Sequence, residues 1–247
     1  MAGTALRRRL AWQVATVAAV RTETATASTI ELVADWDGHR AGQHVDVRVT
    51  AEDGYSAERS YSIASAPGES LAITVQRLDD GEVSPYLTTE LRAGDQLEVR
   101  GPIGGYFVWD AAGARSPLLL VAGGSGIVPL RAILRHRERA GSAVPARLVY
   151  SARSLPDVIY LDELDRYAGD VSVTYALTRH QPPGWTGHRG RVDGALLASL
   201  AWPADDGATA YVCGPTAFVE TIADGLTKLG YPPQRVKTER FGGPGGP

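Results

Sequence analysis

The sequence predicts a β + α/β protein: an antiparallel β-barrel followed by a parallel-sheet domain with helices on its faces. Two observations carry this expectation. Residues up to about 112 contain short β-branched runs set apart by turn signals, the pattern of a barrel or sandwich. Beyond Ala111-Ala112-Gly113, continuous apolar runs alternate with helical patterns, as parallel strands buried on both faces require. The 28 glycines and 15 prolines in 247 residues fit such a turn-rich chain. The expected domains are residues 1–112 and 113–247.

In the first half the expected strands are Val14–Val20, Thr29–Val33, His44–Val49, Tyr61–Ala64, Leu71–Arg77 and Gln96–Arg100. Asp37-Gly38, Asp53-Gly54 and Ala93-Gly94-Asp95 supply turns between them. Leu87–Leu91 reads as a helix, with Ser84 as N-cap and Pro85 as first helical residue. In the second half Leu118–Ala122, Arg147–Ser151, Val171–Leu177 and Thr209–Cys213 read as strands. Helices are expected at Leu130–Arg139, Leu161–Tyr167, Ala195–Leu200 and Phe218–Leu229. The segment Gly242–Pro247 reads as a low-complexity tail.

Composition excludes several classes. The formal charge of −3 offers no electrostatic basis for nucleic-acid binding. The single cysteine, Cys213, excludes a disulfide-stapled fold and a four-thiolate iron–sulfur cluster held by these residues. Arg7-Arg8-Arg9 ahead of an apolar run resembles the start of an export signal. The alternation of Val14, Thr16, Ala18 and Val20 favours a strand instead, and a cytoplasmic protein without a membrane span is expected. No metal site is expected, because no His/Cys/Asp cluster has ligand spacing; His44, His136 and His188 read as isolated. No Gly-x-Ser-x-Gly nucleophile elbow is present.

Chemistry concentrates in a few short motifs. Gly123-Gly124-Ser125-Gly126-Ile127-Val128-Pro129 lies between a buried strand and a helix. Glycines there let backbone approach a pyrophosphate, whose charge the helix N-terminus favours. Pro129 stands where the dehydrogenase fingerprint has glycine. Arg59-Ser60-Tyr61-Ser62 lies in the barrel half, Gly81-Glu82-Val83-Ser84 before its helix, and Cys213-Gly214-Pro215 at a strand end. Glu239-Arg240-Phe241 closes the series.

In this order the motifs resemble the ferredoxin–NADP reductase superfamily, from about Trp12 to Phe241. The resemblance implies that the barrel binds FAD. Arg59 would pair with the pyrophosphate, with Ser60 beside it, Tyr61 would stack on the isoalloxazine, and Ser62 would reach flavin N5. Gly81, Glu82, Val83 and Ser84 would form a second phosphate-binding stretch. Gly123, Gly124, Ser125, Gly126 and Pro129 would take the pyrophosphate of NADP(H) or NAD(H). Cys213, with Gly214 and Pro215, would shape the nicotinamide pocket. Glu239 resembles the family's acidic residue near the flavin, and Phe241 the aromatic that covers it. Ser62, Cys213, Glu239 and Phe241 are therefore the candidate catalytic residues. Plant-type members end on the aromatic, whereas six residues follow Phe241 here. FMN in place of FAD stays open, since relatives use either.

Ser151 and Arg153 after the second strand of the α/β half, with Arg179 after the third, favour a 2′-phosphate and hence NADPH. The acceptor is expected to be a separate protein such as a ferredoxin, an oxygenase, a molybdenum enzyme or a flavodoxin, and the reductase a monomer. Arg7–Arg9, Arg48, Arg77, Arg92, Arg100 and Arg240 are candidates for steering an acidic carrier. Two other readings differ in what they predict. A non-catalytic electron-transfer subunit would bind flavin without oxidising NAD(P)H, and a ligand-binding module would be colourless.

Overall fold

The computed structural model describes residues 10–51, 53–167 and 171–242; Arg7–Arg9 and most of the glycine–proline tail lie outside them. The first sheet comprises β1 (Gln13–Thr24), β2 (Ala27–Val33), β3 (His44–Thr50), β4 (Ser56–Ser62), β5 (Leu71–Gln76) and β6 (Gln96–Ile103). These run antiparallel in the order β4-β3-β6-β1-β2-β5. An Ile63–Ile73 bridge joins the two ends, and the Ala64 N–H donates to the Ala72 carbonyl at 2.7 Å. That contact curls the sheet into a barrel. Alternate residues, among them Ala15, Val17, Val45, Val47, Ile73 and Val99, fill its interior.

The short helix α1 (Ser84–Thr89) differs from the expectation at its start. Val83 is the N-cap, and Ser84 is already helical without capping. Its hydroxyl instead accepts the Leu78 N–H at 3.0 Å, tying the preceding loop to the helix. The strand expected at Tyr61–Ala64 lies earlier in the chain, at β4, because Ser56–Ser62 pairs residue for residue with His44–Thr50.

The second sheet comprises β7 (Leu118–Gly123), β8 (Ala146–Ala152), β9 (Val171–Leu177), β10 (His188–Arg189), β11 (Thr209–Pro215) and β12 (Val236–Phe241). All pairs are parallel, in the order β10-β9-β8-β7-β11-β12. Four helices accompany it: α2 (Ile127–Arg139), α3 (Leu161–Asp165), α4 (Gly194–Leu200) and α5 (Thr216–Lys228). Helix α2 starts three residues before the expected Leu130, because Pro129 sits in its first turn, where the missing N–H has no partner to lose. From β7 the chain runs outward through β8 and β9, then returns to the other side of β7 as β11. The β7–β11 pair is thus the topological switch point, where α/β sheets open a crevice at the strands' carboxyl ends.

One buried cluster spans the two halves. Ala64, Phe107 and Trp109 from the barrel side pack in a cluster with Leu120, Ile127 and Tyr211. Arg131, buried on α2, donates to the Ala64 carbonyl at 3.0 Å and pairs with Glu163 at 2.7 Å. Tyr160, in the left-handed region at φ 64°, hydrogen-bonds Thr74 of β5. A buried tyrosine held in that conformation marks a seam set by packing. The barrel's position against the second sheet is fixed there.

Candidate active site

A cleft of about 250 Å³ opens between the halves. On the barrel side, Arg59, Ser60, Tyr61 and Ser62 line it from β4. β4 is a terminal strand of its sheet, so side chains opposite Val45 and Val47 (Tyr61 and Arg59) stand at an open margin. Tyr61 is partly buried, which pushes its hydroxyl pKa up to about 12 and keeps the ring neutral. The Arg59 guanidinium pairs with Glu82, which also accepts the Tyr55 hydroxyl at 2.9 Å. Gly81, Glu82, Val83 and Ser84 form a second wall. A Cβ on Gly81 would lie 2.9 Å from Ser84 Oγ and 3.1 Å from the Leu78 carbonyl oxygen, so the loop's own packing already demands glycine.

Thr74, Gln76 and Leu78 complete this side, a contribution the sequence did not reveal. They arrive because the barrel's closure brings β5 round to β4. The α/β half adds Ser125, Val128 and Phe241, with Gly242 beside it. Phe241 is 37% exposed, at the end of β12.

The remaining residues of the two glycine-containing motifs stand next to the cleft, at the switch point. A Cβ on Gly126 would lie 2.1 Å from the Cys213 carbonyl oxygen. One on Gly123 would meet the Phe218 ring at 2.9 Å, and one on Gly214 the same ring at 2.7 Å. Gly126 is therefore required by close backbone packing, and Gly123 and Gly214 by the Phe218 ring seated against them. Gly124 is required by its φ of +54° and faces open space apart from Gln76 at 3.6 Å. Pro129 is buried in α2, and Pro215 is exposed at the N-cap of α5.

Cys213 is buried, and burial first, then nearby Glu239, raises its thiol pKa well above the ordinary value. A protonated thiol is a packing group at neutral pH and a poor nucleophile. Glu239 is its register partner on β12. Burial pushes the Glu239 carboxyl up to about 7, and its Oε2 is shielded from solvent without a hydrogen-bond partner. It is no surface ion pair. His44, expected to be isolated, has Nδ1 3.8 Å from Glu239 Oε1.

Ser151 and Arg153 lie at the end of β8, and Arg179 follows β9. The Arg153 carbonyl accepts N–H groups from Arg179 at 2.8 Å and His180 at 3.1 Å. This brings the two arginines together on the far side of the switch point. Among the described arginines suggested for steering, four pair with carboxylates. Arg48 pairs with Glu98, Arg100 with Asp46, Arg77 with Asp79 and Arg240 with Glu220. Arg92 bonds the carbonyls of Thr89 and Leu91.

Comparison with known proteins agrees with this arrangement. Residues 21–108 match the oxidoreductase FAD-binding domain, and residues 120–224 the oxidoreductase NAD-binding domain. A ferredoxin–NADP reductase B of Sorangium cellulosum is 37% identical over 210 residues, covering 81% of this chain and 84% of that protein. The chain belongs to the ferredoxin–NADP reductase superfamily. The reductase is also 32% identical to the glycine betaine monooxygenase reductase subunit of Chromohalobacter salexigens, over 82% of this chain but only 56% of that subunit. The FAD/NAD-binding domain of a nitric oxide dioxygenase from Vibrio cholerae superposes with a TM-score of 0.83 at 25% identity, covering 94% of this chain and 99% of that one. The reductase is an FAD-dependent NAD(P)H oxidoreductase. Its cleft fits the flavin chemically: a guanidinium and serine hydroxyls suit phosphate, and the Tyr61 and Phe241 rings suit a planar heterocycle.

Proposed function

We propose that this protein takes hydride from NAD(P)H, with NADPH favoured, and passes electrons one at a time to a separate acceptor such as a ferredoxin. The observation that carries the reading is the cleft itself. β4, the α1 loop and β12 meet there beside the carboxyl ends of β7 and β11. Bound FAD supplies the conversion between two-electron and one-electron chemistry.

The chain's own residues bind and orient. Arg59 and the Ser84 stretch hold phosphates, Arg59 exchanging Glu82 for the ligand. Ser60 is tied to Asp46 at 2.6 Å and stiffens β4. Tyr61 would stack on the flavin ring, and Phe241 would cover it where the nicotinamide must enter. Ser62 offers its hydroxyl at the reacting edge. The Gly123–Gly126 turn, with Ser125 facing the cleft, receives the nicotinamide cofactor's pyrophosphate. Cys213, Gly214 and Pro215 bound the nicotinamide, and Glu239 is the acidic group nearby.

The preference for NADPH is supported by Arg153 and Arg179, whose guanidinium groups have no partner among the described residues, with Ser151 adjacent. A 2′-phosphate would give both arginines a partner. Steady-state kinetics with both cofactors tests this. Wild type should favour NADPH, and Arg153→Ala with Arg179→Ala should lower kcat/KM for NADPH at least about tenfold while sparing NADH. A wild-type preference for NADH would reject the assignment.

The acceptor class is supported by the relatives, named as a ferredoxin–NADP reductase and a monooxygenase reductase subunit. The same reading places FAD binding in residues 1–112 and nicotinamide binding in 113–247. It takes the reductase as a cytoplasmic monomer; none of the described helices is long and apolar enough to cross a membrane.

A further inference from the structure

Glu239 poses a problem that the cleft's residues do not solve. Its Oε2 is buried without a partner, and the ordinary remedy for such a carboxylate is protonation or a counter-charge. The nearest titratable base is His44. Its Nδ1 lies 3.8 Å from Glu239 Oε1, roughly 0.8 Å beyond hydrogen-bond length. His44 sits at the start of β3, directly opposite Ser62 on β4 and Ile103 on β6. Cross-strand partners share a sheet face, so Ser62 and His44 stand side by side. On the other side, Glu239 adjoins Cys213 in the β11–β12 register. Ser62, His44, Glu239 and Cys213 therefore form a continuous row across the two halves.

Gly104 lies beside the row. Its φ of +98° favours glycine, and a Cβ there would lie 3.5 Å from His44 Nδ1, an ordinary van der Waals contact.

We propose that His44 is a positioning residue that shares one proton with Glu239 beside Ser62. In one form the carboxyl is neutral and the imidazole neutral. In the other the proton has moved from Glu239 Oε1 to His44 Nδ1, giving carboxylate and imidazolium. Net charge is the same in both, so the proton can pass between the two groups without changing the charge of the row, whereas its loss to solvent would leave the carboxylate charged. The two groups titrate towards each other: burial holds His44 below its ordinary pKa, and burial lifts Glu239 to about 7. Such a pair has macroscopic pKa values that belong to neither residue alone.

The surrounding charges leave the pair to itself. On β3, Asp46 raises His44 slightly but is committed to Ser60 and Arg100. On β12, Lys237 reaches the Val108 carbonyl at 3.4 Å, and Arg240 pairs with Glu220 at 2.8 Å. On β11, Cys213 is held as the thiol. β6 carries Arg100, already paired with Asp46, and Glu98, already paired with Arg48.

The role of the pair at the reacting edge rests on the function proposed above; the coupling itself does not. Imidazole 13C NMR on the FAD-loaded, oxidised protein measures it directly. The chain has five histidines, and His44→Asn identifies the resonance by its loss. In wild type the His44 signal should show two inflections between about pH 5 and 9. In Glu239→Gln one inflection should vanish, and the other should fall by about one pH unit, as expected for removing a charge at this range. A single inflection in wild type, unmoved by Glu239→Gln, overturns the proposal. Flavin reduction by NADPH followed against pH gives the functional arm. His44→Asn should shift the pH midpoint of the rate with little change in KM, and an unshifted profile rejects the positioning role. Flavin that NAD(P)H cannot reduce, in a protein whose NMR coupling is intact, would reject the assigned function instead.

Discussion

Gly126→Ala is the sharpest perturbation available at the switch point. The added methyl would lie 2.1 Å from the Cys213 carbonyl oxygen, 2.4 Å from its carbon and 2.8 Å from the Gly214 nitrogen. All three are backbone atoms of β11, which is hydrogen-bonded to β7 on one side and β12 on the other. Ordinary carbon–oxygen contacts need about 1 Å more, and no side chain can rotate to provide it. Overpacking that moves backbone costs about 3 kcal/mol, the upper end of the usual range. Gly124→Ala is the control. Its φ of +54° imposes a left-handed penalty of about 1–2 kcal/mol, but the nearest atom is 3.6 Å away. Guanidinium unfolding followed by intrinsic fluorescence should rank the variants in that order. Displacing Cys213 and Gly214 should also slow flavin reduction by NAD(P)H at least about tenfold, whereas FAD content should hold, because the barrel has its own core. A Gly126→Ala protein within about 0.5 kcal/mol of wild type, reduced at the normal rate, would refute this account of the glycines.

Other substitutions probe the barrel side. Glu82→Gln frees the Arg59 guanidinium and should tighten FAD binding about two- to five-fold at low salt, the gain fading as salt rises; equilibrium dialysis reads this. Tyr61→Ala removes a stacking surface and should weaken FAD retention roughly tenfold or more, measured as flavin per protein after gel filtration. Glu239 predicts a pH trend. Its carboxyl is raised from 4.5 to about 7 in the fold, so the unfolded chain binds fewer protons across that window. Stability should therefore fall by about 3 kcal/mol as pH climbs from about 4.5 to 7. Glu239→Gln should remove that fall, as urea midpoints across the window would record.

The second half was the more legible in sequence. Leu118–Ala122 read as a strand because a central parallel strand is apolar on both faces, and Val171–Leu177 because it is rich in β-branched residues. β12 escaped that signal. Val-Lys-Thr-Glu-Arg-Phe shows no apolar run, and it becomes a strand through its register with β11 at the sheet edge. The missed β10 is only two residues long. Arg59, Tyr61 and Phe241 stood out through ordered motifs, and they do line one cleft. Thr74 and Gln76 did not, because only barrel closure brings β5 alongside β4. Ser84 carried a capping signal, yet its hydroxyl satisfies Leu78 instead. His44 looked isolated because its neighbour Glu239 is distant in sequence and meets it only when the halves dock.

Anaerobic titration of the FAD-loaded protein with NADPH, followed by absorbance of the flavin, reads hydride transfer and electron release together. The protein should be yellow, bleach with one equivalent of NADPH and regain its colour when an oxidised ferredoxin is added. A protein that retains no added FAD, or whose bound FAD neither NADPH nor NADH can bleach, would contradict the proposed function.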